Sequence, residues 1–286
     1  MHDASTDPTV DLDPDFIFDF RPLDEHLAEG QRYSTYWDVE PLMRGPQPVP
    51  DWLVTDRAAV DTELGVLKTG KEAEVFLLER AVSPDHSPSQ ACVLAAKRYR
   101  GADHRDFHRN ASYTEGRRVR NTRDARAMAK KTAFGRKVES AQWAWAEWES
   151  LKRCFEAGVP VPYPVQIDGT EILMELVTVD DEPAPRLAGQ RPGPELLEHW
   201  FEQLREAMGT LAENGLAHGD LSPYNVLAAG ERLVIIDLPQ VVDLVANPQG
   251  ADFLHRDCRN VCTWFTRRGL EVEEDTLFAE LVSRAW

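Results

Sequence analysis

The chain has 286 residues, enough for one large domain or two lobes with a real core. Its 42% hydrophobic and 28% charged residues are typical of a soluble globular protein, and no apolar run approaches membrane-span length. The net charge of -17 argues against nonspecific nucleic-acid binding by the chain as a whole.

The start, Met1-His2-Asp3-Ala4, lacks the basic-plus-apolar pattern of a secretory signal. Cys92, Cys154, Cys258 and Cys262 show no C-x-x-C spacing, which predicts reduced thiols and a cytoplasmic protein. Residues 1–61 read as an acidic tail followed by an irregular arm. Asp3, Asp7, Asp11, Asp13, Asp15 and Asp19 precede any periodicity, and Pro41, Pro46, Pro48 and Pro50 interrupt the arm. Phe16, Phe18, Phe20, Tyr36 and Trp37 are the side chains with which the arm would pack.

From Leu64 the pattern turns to strands. Residues 65–78 read as strand, turn, strand, with Thr69, Gly70 and Lys71 at the tip. Gly65 to Lys71 also fits the start of a Walker A loop. Glu72, however, stands where that loop needs a hydroxyl for magnesium, and a β-rich run comes next instead of a helix. A hairpin lying over ATP phosphates is the better fit. Val93-Leu94-Ala95-Ala96-Lys97 is the next strand and resembles V-A-I-K, whose Lys contacts the α- and β-phosphates.

Residues 100–137 form a basic island. Twelve Lys or Arg face four acids, a net of +8 inside an acidic chain. So long a charged segment with few apolar anchors predicts a flexible loop. It would grip a phosphate-rich partner such as RNA, clamp on the acidic remainder of the chain, or simply be solvated. Ala141 to Glu156 reads as a helix with Trp143, Trp145, Trp148, Leu151 and Phe155 on a face. Glu147 and Glu149 are both candidates to pair with Lys97. Ile172 to Val177 is a buried strand. In a kinase order it leads to a hinge where the backbone at Glu175 and Val177 meets adenine.

Asp180 to Pro194 reads as a lobe connection, and Glu195 to Asn214 as an amphipathic core helix. The chemistry gathers next, in His218-Gly219-Asp220-Leu221-Ser222-Pro223-Tyr224-Asn225. Asp220 and Asn225 have the D-x-x-x-x-N spacing of a kinase catalytic loop. Phosphoryl transfer needs a carboxylate near the acceptor and oxygen ligands that hold magnesium on the phosphates. Asp220 suits the first role. Asn225 and Asp237, the latter after the apolar strand Leu233 to Ile236, suit the second. Forty-nine residues come after Asp237, with two helices at Phe253 to Thr266 and Glu274 to Ser283. Asp237-Leu238-Pro239-Gln240 is not D-F-G, and there is no later A-P-E. The expectation is an α+β, two-lobed protein-kinase-like fold. It has a β-rich N-lobe at 62–178 and a truncated, α-rich C-lobe at 179–286 without activation loop or peptide-binding helices.

These residues resemble the RIO kinases, most closely the RIO1 branch. Lys68-Thr69-Gly70-Lys71-Glu72-Ala73 is similar to the family's S-T-G-K-E-A loop, and Trp143-Ala144 with Glu147 to its helix C. Residues 218–225 resemble H-x-D-L-S-x-x-N, and residues 236–240 resemble I-D-x-x-Q. Residues 253–261 resemble F-L-x-x-D-C-x-N-V. The resemblance implies an atypical serine/threonine kinase using ATP and Mg2+. Lys97 would contact the phosphates with Glu147, rather than Glu149, as its partner. Asp220 would be the catalytic base, and Asn225 and Asp237 the metal ligands. It further implies that Asp237 accepts a phosphoryl group transiently, that Ser112 is an autophosphorylation site, and that a ribosomal partner meets segment 100–137. The chain departs from the eukaryotic pattern in its short length and acidic arm.

Two other classes remain open. A small-molecule phosphotransferase also carries an HGD loop, but would be expected to add an acid-lined insert after the metal Asp. A nucleotide-gated, RNA-binding assembly factor would explain the basic island, while Lys97, Asp220, Asn225 and Asp237 form a set built for chemistry. Oligomeric state is not encoded in any of these motifs.

Overall fold

The computed structural model describes residues 27–82, 90–100 and 133–285. In the last segment its side chains are described from residue 140. The N-lobe is one antiparallel sheet of six strands: β1 (Gln31–Tyr33), β2 (Val60–Thr69), β3 (Ala73–Ala81), β4 (Ala91–Tyr99), β5 (Pro164–Asp168) and β6 (Glu171–Glu175). Their order is β1-β2-β3-β4-β6-β5. Strand alternation sorts the side chains of β4 between two faces. Cys92, Leu94 and Ala96 join the core formed with Tyr36, Leu53, Val54 and Ala59 of the N-terminal arm. Ala95 and Lys97 point the other way, toward the cleft.

The arm thus belongs to the sheet. Its β1 pairs with β2 and extends the sheet ahead of residue 62. Tyr36 is 2% exposed, whereas Trp37 is 40% exposed and stacks between Arg44 and Arg57. Phe16, Phe18 and Phe20 lie outside the described residues, as do most of the basic island and Ser112. A buried polar cluster fastens the arm. Arg80 Nε and Nη2 donate to the two Asp61 carboxylate oxygens at 2.7 and 2.9 Å, and Nη2 also to Gln166 at 3.1 Å. Gln166 donates to Thr35 at 2.8 Å.

Helix α1 (Ala133–Glu156) covers the cleft-side face of the sheet. It starts at Ala133, eight residues before the expected Ala141, so the end of the basic island is helical backbone. Its buried stripe is Ala144, Glu147, Trp148, Leu151 and Cys154, at helical spacing. Trp148 is fully buried and Trp145 is 37% exposed, so the tryptophans do not share one face.

A short hairpin, β7 (Thr178–Val179) and β8 (Glu182–Pro183), begins the connection to the C-lobe. Asp180 and Asp181 make its turn with positive φ, the conformation Asp tolerates better than most residues. Helix α2 (Pro194–Glu213) has Pro at its first turn and buries Leu197, Trp200, Leu204, Met208 and Leu211. Then come β9 (Leu216–Ala217), the hairpin β10 (Val226–Ala229) and β11 (Arg232–Ile235), β12 (Val242–Asp243), α3 (Gly250–Thr266) and α4 (Glu274–Ala285). One core cluster runs from Trp148 of α1 through α2 to Phe265 and Leu281. Among the described residues, no helix is long and apolar enough to cross a membrane.

Candidate active site

The floor of the cleft is the loop after β9. Its geometry is imposed from below by α3. The Asp257 carboxylate accepts the N–H groups of Gly219 and Leu221, both at 2.8 Å. Asn260 Nδ2 donates to Leu221 O at 2.9 Å, and the Arg256 guanidinium donates to Gly219 O. Gly219 is required here: its φ is +83°, and a Cβ would sit 2.4 Å from Gln240 O. Burial pushes the pKa of His218 down, so the ring is neutral. Its Nδ1 accepts the Asp220 N–H at 3.3 Å, which makes Nε2 the donor to Ile236 O at 3.2 Å. These constraints leave Asp220 exposed at the top of the loop.

Asn225 and Asp237 are brought side by side by the β10–β11 hairpin. Val226 pairs with Ile235, and Ile236 N–H donates to Asn225 O at 2.9 Å. Asn225 Nδ2 donates to Asp220 O at 3.0 Å. That fixes the amide flip, with Nδ2 as the donor and Oδ1 not used in this bond. Asp237 has φ +69°, a strained conformation for a non-glycine residue. Lys97 holds its carboxyl down to about 2, outweighing burial, so it is ionised at neutral pH. An amide oxygen and an ionised carboxylate are hard donors, the chemistry that Mg2+ takes. The two residues therefore fit the metal.

From the N-lobe, Lys97 Nζ donates to Glu147 Oε1 at 2.6 Å and to Asp237 Oδ1 at 2.8 Å. Burial alone would lower its pKa, but Asp237 and Glu147 overcome burial and hold the ammonium well above the ordinary lysine range. Tyr99, two residues on and on the same strand face, donates its hydroxyl to Glu147 Oε2. Glu147 is 3% exposed and Glu149 faces solvent, so the geometry selects Glu147 as the lysine's partner.

Between the lobes lies a cavity of about 560 Å3, of a size that suits a small ligand. Of the residues singled out in the sequence, Gly70, Lys71, Lys97, Glu147, Glu175, Val177 and Asp237 line it. Asp220 and Asn225 do not line it, and belong to the loop behind Asp237. Thr69 stands apart, exposed, its hydroxyl 3.4 Å from Glu74. At the tip, Gly70 N–H donates to Ala73 O at 2.9 Å, and a Cβ on Gly70 would lie 2.8 Å from that oxygen. Val177 O accepts the Ala184 N–H at 2.9 Å.

Sequence reasoning gave no role to five residues of this site. Lys68, Glu72 and Arg186 line the cavity. Burial, then the nearby Asp237, pushes the Glu72 carboxyl up. Tyr99 was legible from period-2 alternation after Lys97. Arg186 sits in a Pro-rich stretch that reads as a linker, and Asp257 stands in the 253–261 motif, whose pattern does not announce a grip on a loop nearly forty residues earlier.

Residues 92–277 match the protein family RIO1, described as RIO domain. The RIO-type serine/threonine-protein kinase Rio1 of Haloferax volcanii is 37% identical over 219 residues, spanning 77% of this chain and 68% of that protein. The Rio1 kinase of Methanocaldococcus jannaschii is 28% identical over 222 residues, with 77% and 69% covered. Human serine/threonine-protein kinase RIO3 is 35% identical over 130 residues, which is 45% of this chain and 25% of RIO3. Among solved structures, the Rio2 kinase-ADP/Mg2+-phosphoaspartate complex from Chaetomium thermophilum superposes with a TM-score of 0.51 at 20% identity. It covers 78% of this chain and 65% of that one, a likeness of fold.

Proposed function

Because this chain belongs to the RIO family of serine/threonine kinases, we propose that it transfers the γ-phosphoryl group of ATP, with Mg2+, from the cavity between its lobes. The observation that carries this reading is Lys97, held between Glu147 at 2.6 Å and Asp237 at 2.8 Å beside the Asp220–Asn225 loop. In this reading the hairpin tip at Gly70 and Lys71 covers the phosphates, with Thr69 at its edge. Adenine packs at the hinge beside Glu175. There it meets the Val177 N–H, since the Val177 carbonyl is already engaged.

Lys97 neutralises phosphate charge, and Glu147 keeps it aimed. Asn225 and Asp237 would hold Mg2+, which when bound draws charge off the phosphate oxygens. Asp220 accepts a hydrogen bond from the acceptor hydroxyl and takes its proton as the new P–O bond forms and ADP leaves. Asp220→Ala should lower turnover about 100-fold or more while ATP affinity is largely kept. Unchanged turnover in steady-state assays of that variant would remove Asp220 from the mechanism.

A second outcome belongs to the same site. The ionised Asp237 is itself a nucleophile. Attack by its carboxylate on the γ-phosphorus would release ADP and leave an acyl phosphate, which water then hydrolyses to free phosphate. The result is an ATPase cycle. The Rio2 complex from Chaetomium thermophilum is described as a phosphoaspartate.

We assign segment 100–137, with its net +8, to an RNA or ribosomal partner, and Ser112 within it to autophosphorylation. We place the protein in a reducing cytoplasm, a reading supported by its four free cysteines.

A further inference from the structure

Among the described residues, Lys68, Lys71 and Arg186 line the cavity without an ion pair, and Lys68 and Arg186 come from opposite walls. Lys97 is committed to Glu147 and Asp237. Lys68 on β2 and Arg186 in the connection after β8 also line the cavity, and among the described residues neither makes an ion pair. Their placement is built into the fold. At Lys68 the β2–β3 ladder slips: Val66 pairs with Phe76 and Lys68 with Val75, so β2 gains a residue there. Such a bulge re-aims side chains, and both Leu67 and Lys68 line the cavity. Arg186 is fixed twice. Its backbone bridges Leu227 of β10, and its guanidinium donates to Tyr224 O, next to Asn225. Lys68 stands where the S-T-G-K-E-A loop has Ser.

We propose that Lys68 and Arg186 form a two-sided clamp for the phosphate chain of the nucleotide, so that this chain distinguishes nucleoside polyphosphates from nucleosides. The inference rests on the nucleotide reading of the cavity and names a further pair of binding residues within it.

The electrostatics agree with the geometry. Burial and Arg186 lower the pKa of Lys68, with Asp237 opposing, and burial likewise lowers that of Arg186 against Asp237. Arg186 is half-buried and Lys68 exposed, both lie in the field of Asp237, and Lys68 also feels the repulsion of Arg186. A polyanion between them removes that repulsion and supplies the missing counter-charge. Arg186 brings planar, forked donors, of which Nη1 is spent on Tyr224 O. Lys68 adds a mobile point charge from the strand above.

The test is calorimetric binding of ATP, ADP, AMP and adenosine to the full chain with Mg2+, in the wild type, Lys68→Gln, Arg186→Gln and Lys68→Arg. Losing one charge-assisted contact should weaken ATP about tenfold or more in each Gln variant. Adenosine affinity should change less than about twofold, which also shows that the variants are folded. Lys68→Arg should restore ATP affinity. Equal losses for ATP and adenosine, or no loss for ATP, would overturn the clamp and leave the nucleotide site standing. Failure of the wild type to bind any of the four ligands would instead defeat the nucleotide reading, and the clamp with it.

Discussion

Asp257 lies beneath the 218–225 loop and, with Arg256 and Asn260, fixes that loop's shape. Burial pushes its pKa up to about 7 from 3.8, even though the N–H groups of Gly219 and Leu221 pull the other way. A carboxyl whose pKa is raised on folding binds its proton more tightly in the folded chain. Its stabilising contribution is therefore complete below about pH 4 and is lost as the pH rises through about 7. Thermal unfolding across about pH 5 to pH 8 should show this fall, and Asp257→Asn should flatten it. The same variant should have a lower melting temperature throughout, because its amide turns an N–H toward one loop N–H. A wild-type profile flat across that window would contradict the assignment. At Glu147 the expectation is kinetic. Glu147→Gln replaces the charge that holds Lys97 at 2.6 Å, which should cost about 10- to 100-fold in kcat/KM. Wild-type kcat/KM in that variant would mean that Lys97 is positioned by Asp237 alone.

Among the elements, the N-terminal arm and α1 show what a sequence can and cannot disclose. The hairpin over the cleft was legible, because Gly70-Lys71 punctuates two apolar runs. Lys97 was legible too, because it lies on a strand whose alternation puts it on the cleft face, although the strand runs two residues further, to Tyr99. Three residues, Gln31 to Tyr33, are too few to show alternation, so β1 was hidden inside an arm rich in proline. The start of α1 was hidden by charge: Arg136 and Lys137 continue the basic run and mask the helical period that becomes clear from Ala144. The buried Asp61–Arg80 pair was also invisible, since nothing local shows that a charged strand residue will be 1% exposed. That pair gives a test of the arm. Asp61→Ala leaves Arg80 charged and buried, and should cost about 3–5 kcal/mol in denaturant unfolding. Asp61→Leu with Arg80→Met should recover much of the loss. A single-variant cost near zero would mean that the arm does not shield the pair from water.

At the scale of the whole molecule, a chain of net charge -17 is locally charge-balanced where a polyanion would enter, with Glu72, Glu147, Glu175 and Asp237 facing four cations. Lys68, Lys71, Lys97 and Arg186 all line one cavity, contributed by the sheet above and the connection below. The core running from α1 to α4 makes the two lobes one body, so Lys97 from the sheet and Asp237 from below meet at 2.8 Å. The 218–225 loop and Asp237 stood out in the sequence by residue type and interval, and the fold brings them to one end of the cleft. Arg186 acts across the fold and leaves no local mark, while Asp257 stands in the 253–261 motif but its reach to the 218–225 loop is not written there. The most direct measurement is a single turnover of the purified chain with γ-labelled ATP and Mg2+, followed in wild type, Asp220→Ala and Lys97→Met. The predicted result is Mg2+-dependent departure of the label from ATP, onto the protein or into free phosphate, with Lys97→Met inactive and Asp220→Ala impaired in transfer to a hydroxyl. Bound ATP that keeps its γ-phosphoryl group in the wild type would contradict a site built for phosphoryl transfer.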